Sequence, residues 1–198
     1  MVRLRKPRKA LPYKRIKTLL ESVDSPYYKA LFCAMYGSGA RIGEVVGSEK
    51  HDKFTGITIN DVQVRKIEVG EGKNKRQEKF LLLTLETQKN RSSPVRTIPI
   101  SFSKEKWLCT PILNRVKEVK EKGGNKLFPI STRYARLKAQ ELFKVDTHTL
   151  RHSRATHLIT EFNYPIERLQ RVLGHSSLKP TGVYLHLFWK DDAERLVR

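Results

Sequence analysis

Cysteine is almost missing from this chain of 198 residues, which holds only Cys33 and Cys109. Two cysteines so far apart give neither a disulfide framework nor a metal-ligand spacing. Cys33 lies in Ala30-Leu31-Phe32-Cys33-Ala34-Met35 and reads as a small buried hydrophobe. Long apolar runs are missing as well. No stretch approaches the roughly 20 apolar residues that span a bilayer. The basic start, Met1 to Lys9, lacks the apolar segment of a secretory signal. The expectation is a soluble, intracellular chain, cytoplasmic and without a membrane partner. Acid is scarce: twenty Asp and Glu face forty Lys and Arg. No carboxylate cluster stands ready for a metal, and no cofactor is expected. Internal repeats and low-complexity segments are absent too, and 38% hydrophobic residues suffice for a core, which excludes wholesale disorder.

What remains in excess is positive charge, a formal +20. Such a surface concentrates polyanions, and nucleic acid is the first candidate. A ribosomal-type protein or a binder of acidic lipids would carry the same field, because charge reports a potential and not a site.

Periodicity and turn residues predict an α+β chain, mainly helical with a small antiparallel β-sheet to one side. A basic N-terminal arm covers residues 1–12, ending at Pro12, and one domain covers 13–198. Helices are predicted from about Lys14 to Ser22, from Asp24-Ser25-Pro26 through Met35 until Gly37-Ser38-Gly39 interrupts it, and from Ala40 to Val46. Strands follow at 57–59, 62–64, 80–85 and 96–100, with a basic turn at 89–94 and Pro99 suited to an edge. Later helices are predicted at 111–122, 133–143, 149–161, 166–173 and 181–187.

Chemistry concentrates in the last third. His148 and Arg151 stand three apart and share a face if they open a helix, whose N-terminus suits a phosphate. Leu173-Gly174-His175 follows, then Thr181-x-x-Tyr184. Each motif alone is weak. His148-x-x-Arg151, Leu173-Gly174-His175 and Thr181-x-x-Tyr184 in this order, with Gly39-Ala40-Arg41-Ile42-Gly43-Glu44 upstream, resemble the tyrosine recombinase (phage-integrase-like) family over roughly residues 15–190.

The resemblance implies a DNA strand-cutting and rejoining enzyme with roles that phosphoryl transfer demands. Tyr184 would attack and form a phosphotyrosyl link. Arg41 and Arg151 would offset charge on the non-bridging oxygens with planar forks. His148 and His175 would add hydrogen bonds, and His148 would help take the Tyr184 proton. The family protonates the leaving 5′ oxygen from a β-turn lysine, a place that Lys89 fits and for which Lys79 and Arg91 compete. Double-stranded DNA would be the partner, with a homotetramer on DNA and a monomer in free solution.

Other readings set bounds on this one. Glu44 reads as a structural partner of Arg41, His152 and His157 as packing or surface residues, and Trp107 and Trp189 as core or interface aromatics. Relatives usually carry a helical domain before the catalytic one, whereas about a dozen residues precede the first helix here. Residues 47–79 look longer than the family's compact hairpin. Phe188-Trp189 and Asp192 to Val197 match an element that relatives pass to a neighbouring subunit. A type IB topoisomerase-like or telomere-resolving enzyme would share the chemistry, a catalytically silent DNA binder would not need Tyr184, and an RNA-binding protein predicts none of the ordered motifs.

Overall fold

Turn and cap residues decide where the helices begin and end. The computed structural model describes residues 10–48, 55–87 and 95–175, with Thr181 and Tyr184. The first helix, α1 (Tyr13–Glu21), buries Ile16 and Leu20. In α2 (Pro26–Ser38) the Ser25 hydroxyl accepts the Tyr28 N–H and Pro26 sits in the first turn. The helix stops at Gly39, whose φ of 60° is the left-handed conformation glycine adopts without penalty. The predicted break therefore acts only at its last residue. Gly37 and Ser38 stay helical, and the Ser38 hydroxyl donates back to the Ala34 carbonyl at 2.6 Å. Next comes α3 (Ile42–Val46), which starts two residues later than its apolar pattern predicts and leaves Arg41 at the cap.

Thr58 does not sit in a strand. It makes one isolated bridge to Lys126 and then opens a 3₁₀ turn over Ile59–Asp61. The Asp61 carboxylate accepts the Thr58 N–H at 2.8 Å and its hydroxyl at 2.6 Å, a local pairing that takes the place of a ladder. Three strands follow: β1 (Val62–Val69), β2 (Arg76–Glu86) and β3 (Val95–Ser101), antiparallel in that order. Leu81, Leu83 and Leu85 of β2 alternate into the core and meet Ile98 and Ile100 of β3, in a register that pairs Leu83 with Ile98. Pro99 occupies the edge strand β3, where no ladder partner is lost on its outer side. The basic turn that carries Lys89 and Arg91 lies outside the described residues.

The next helix, α4 (Phe102–Glu121), begins well before Pro111, where the sequence predicts a start. Ser101 caps it, its hydroxyl accepting the Lys104 N–H at 3.4 Å, and Glu105 kinks it with φ −134° and ψ 41°. Pro111 lies inside it, and the Trp107 carbonyl, the partner of its missing N–H, has the Cys33 thiol 3.9 Å away. Three further helices complete the fold: α5 (Thr132–Phe143), α6 (Thr147–Thr160) and α7 (Ile166–Leu173). The Asp146 carboxylate accepts the Thr149 N–H at 2.9 Å, so α6 starts earlier than predicted and holds His148 in its first turn. The architecture is thus α+β, seven helices and one small antiparallel sheet among the described residues.

Both α4 and α6 pack on α2, which is buried from Ala30 to Ser38. A polar seam runs through this core. Arg154 of α6 grips Glu105 with both Nη atoms, the two side chains being 2% and 3% exposed. The guanidinium also lies 5.3 Å from the Tyr36 ring and 5.5 Å from that of Phe162. Beside it His157 donates Nε2–H to the Leu11 carbonyl at 2.8 Å, so Nδ1 accepts the Tyr36 hydroxyl at 2.7 Å. Leu11 in turn donates its N–H to the Ser153 hydroxyl at 3.0 Å. The last residues of the predicted arm are therefore anchored on α6, while residues 1–9 lie outside the described residues. Trp107 packs against the core near Tyr36 and Tyr13, and Trp189 is not among the described residues. No helix of the described residues is long and apolar enough to cross a membrane.

Candidate active site

Two helix ends converge on one guanidinium. Gly39 closes α2 and Gly174 closes α7, both in left-handed backbone, and each end leaves a carbonyl without an intrahelical partner. Arg151, buried near the start of α6, takes up both: Nη1 donates to Gly39 O and Nη2 to Leu173 O, each at 2.7 Å. A cation at two helix C-termini is also favoured by their dipoles. Gly174 cannot carry a side chain, because a Cβ there would lie 2.6 Å from Thr87 Cγ2 and 2.9 Å from Arg96 Nη1.

His175, the next residue, is drawn in by that turn. Its Nε2 stands 2.9 Å from Arg151 Nη2. A guanidinium only donates, so Nε2 accepts, and Nδ1–H donates to Thr181 Oγ1 at 2.9 Å. Burial first, then the charges of Arg151, Arg41 and Arg96, push His175 down to about 4. Burial, opposed by the Leu11 carbonyl and helped by Arg154, takes His157 to about 4 as well. The unfolded chain binds these protons near pH 6.5 and the folded chain only near 4, so in between the unfolded state holds more of them. Melting temperature should therefore fall as pH drops from about 6.5 towards about 4. A thermal melt that stays level from about pH 7 to about pH 4.5 would contradict this assignment of neutral imidazoles.

Arg41 and Glu44 enter from α3. Glu44 Oε2 accepts the Arg41 backbone N–H at 2.8 Å and Oε1 accepts Arg41 Nη1 at 3.1 Å. The same carboxylate takes Arg96 Nη2 from β3 at 2.6 Å. Burial would raise Glu44, but Arg96 and the Arg41 amide outweigh it and hold the group ionised, below the usual carboxylate range. Arg96 further donates Nε–H to Val172 O at 2.9 Å and Nη1–H to the Thr87 hydroxyl at 2.8 Å. One arginine thus ties β3, the end of β2, α3 and α7 together. Burial, then Arg41 and Arg96, bring Arg151 down to about 10, still charged at neutral pH. Glu44 pairs with Arg41 and Arg96 and reaches Arg151 through its charge. Three guanidinium groups thus lie around one carboxylate among the described residues, and an anion would relieve their positive field.

Tyr184 completes the cluster. It is 6% exposed, and its N–H donates to Thr181 O at 3.0 Å. Burial pushes its phenol up to about 12, against the pull of Arg151. Its hydroxyl lies 2.9 Å from His152 Nδ1, with the two rings 5.1 Å apart and inclined by 31°.

The fold therefore brings Arg41, Arg151, His175 and Tyr184 into one neighbourhood. His148 stands in the first turn of α6 with an exposed side chain. Lys89 is outside the described residues, and Lys79 points its ammonium at the Phe102 ring, 4.6 Å from the centroid. Two members were not read from the sequence. Arg96 looks there like the polar start of a strand, and nothing local marks it. His152, read as packing or surface, was hidden by its neighbour Arg151 although it follows directly.

Comparison with known proteins finds relatives along nearly the whole chain. The phage integrase family matches residues 9–190. A tyrosine recombinase XerC from Caldanaerobacter subterraneus is 28% identical over 182 residues, covering 90% of this chain and 46% of that protein. One from Neisseria meningitidis serogroup B is 33% identical over 162 residues, covering 80% and 47%. The XerH site-specific recombinase bound to difH substrate, in a pre-cleavage complex, superposes with TM-score 0.62 at 17% identity, covering 91% of this chain and 51% of that one. The chain spans about half the length of the relatives it matches. With the family's pattern running through nearly all of its residues, the chain belongs to the phage integrase family, as a tyrosine recombinase catalytic domain.

Proposed function

We propose that this chain is a site-specific DNA recombinase that cleaves and rejoins DNA through a covalent 3′-phosphotyrosyl intermediate on Tyr184. The observation that carries the reading is the meeting of Arg151, His175 and Tyr184, distant in sequence, around an excess of buried positive charge. A DNA phosphate satisfies that excess. Arg41 and Arg151 bind its non-bridging oxygens, where charge grows as the phenol attacks. Arg151 is held by two carbonyls and so needs no reorganisation when the phosphate arrives. His175 turns its Nδ1–H from Thr181 to the same oxygens, and His148 reaches the phosphate from the helix N-terminus. Lys89 is the acid for the leaving 5′ oxygen. None of these steps draws on a metal or a cofactor.

Double-stranded DNA is the partner, and the +20 charge supports contacts along its backbone. The relatives' name, tyrosine recombinase, and the XerH complex with difH substrate support the same reaction class. Residues 13–198 form the catalytic unit, with residues 1–12 as a basic arm on the DNA, and four protomers act together on two duplexes.

The test is a duplex with a nick beside the scissile phosphate, which traps the covalent intermediate, run on a denaturing gel. Wild type should yield a protein–DNA band that Tyr184→Phe lacks, while both shift the duplex in a native gel. An undiminished band with Tyr184→Phe would remove the assignment of the nucleophile.

A further inference from the structure

We infer that His152 is a catalytic residue, holding the Tyr184 hydroxyl and receiving its proton as the phenol attacks. This rests on the reading of Tyr184 as nucleophile and assigns to His152 the proton transfer that the resemblance implies for His148.

The geometry places His152 at the reacting atom. Its Nδ1 is 2.9 Å from the Tyr184 hydroxyl, and the tilted ring stack leaves the phenol little freedom to swing away. Successive positions on α6 diverge by about 100°, so Arg151 faces the junction of helix ends while His152 faces Tyr184. His175 and His157 are committed elsewhere. His175 uses Nε2 on Arg151 and Nδ1 on Thr181, and His157 uses its two nitrogens on Leu11 and Tyr36. His148 stands one turn nearer the helix start with an exposed side chain.

The chemistry needs such a group. The buried phenol stays protonated at neutral pH, so its proton must leave during attack. Tyr184 Oη forms a bond to phosphorus, the bond from phosphorus to O5′ breaks, and the Oη proton passes to His152 Nδ1. The 5′ oxygen takes a proton from the acid for which Lys89 is proposed. Religation reverses the transfer, with His152 returning the proton to the departing phenol oxygen. The charged group that faces the pair is Arg151 on the same helix, and Arg41, Glu44 and Arg96 act in turn on Arg151, which also holds His175.

The experiment measures the rate of covalent adduct formation on the nicked duplex against pH, for wild type, His152→Ala, His152→Asn and Tyr184→Phe. His152→Ala should slow adduct formation by about 10²–10⁴-fold and flatten the rise of rate with pH. Asn presents a polar atom near the place of Nδ1 but takes no proton, so His152→Asn should keep DNA binding without restoring rate or pH dependence. A substrate with sulfur in place of the bridging 5′ oxygen loses its leaving group without an acid. The His152→Ala defect should persist on it, because His152 acts on the nucleophile.

Wild-type rates in His152→Ala, or a defect that vanishes on the sulfur substrate, would overturn the inference and leave Tyr184 as the nucleophile. An adduct that survives Tyr184→Phe would instead sink the underlying reading. A DNA-free arm needs no target site: the ¹⁵N resonance of His152 Nδ1 should move in Tyr184→Phe while that of His157 stays. If it does not move, the contact is absent and the inference falls.

Discussion

Arg151→Lys is expected to reduce adduct formation by about 10²–10³-fold or more, although the charge is kept. An ammonium is a point charge on a flexible stem. The guanidinium is a planar fork that reaches Gly39 O, Leu173 O and His175 at once. Lysine satisfies at most part of this set, so His175 loses its partner and the phosphate loses a preorganised donor. Stability should fall too, because a buried carbonyl left without a donor costs about 1–3 kcal/mol. Both effects are measurable: adduct rate on the nicked duplex, and the denaturant midpoint in its absence. DNA retention in a native gel should change little, since most affinity comes from the distributed positive surface. An Arg151→Lys protein with the wild-type rate would show that charge alone suffices and that the fork has no role.

Arg154→Met should cost about 3–5 kcal/mol of folding stability, because it leaves Glu105 buried in the core without its partner. The pair is bidentate and closed off from water, and it joins α6 to the kink of α4. Glu105→Met should cost a comparable amount by stranding Arg154. The double substitution should recover most of the loss, because an apolar pair of similar volume removes both desolvation costs together. Chemical denaturation of the three variants and the wild type gives the coupling directly. Additive losses would mean that the two side chains do not depend on each other, contrary to the observed geometry. Arg154 lies on α6 three residues after Arg151, so the same pair also steadies the helix that presents Arg151 and His152.

Much of this molecule is written locally. Ser25, Pro26 and Gly39 bound α2 through cap chemistry that needs no distant partner. The apolar run Phe80 to Leu85 assigns β2, and the structure decides that Leu81, Leu83 and Leu85 face the core. The ordered motifs from Arg41 to Tyr184 identify the candidate site, because residue type and spacing survive in one dimension. Local rules fail where packing outbids them. Pro111 reads as a helix start, yet α4 runs through it, since burial of Leu108, Cys109 and Ile112 against the core outweighs one lost backbone bond. Thr58 reads as strand and becomes a cap because Asp61, three residues on, offers a nearer partner.

The tertiary structure alone decided which charges meet. Glu44 finds Arg96 fifty-two residues away, Arg154 finds Glu105, and the Tyr184 hydroxyl settles on His152. A side chain's destination across such separations depends on how helices and sheet pack, and sequence spacing carries no record of it. The sequence determined which candidate groups this protein carries, from Arg41 to Tyr184, and most of the order of its helices and strands. Folding decided that His152 stands beside Tyr184, because that requires a residue beyond α7 to meet one on α6, thirty-two positions earlier.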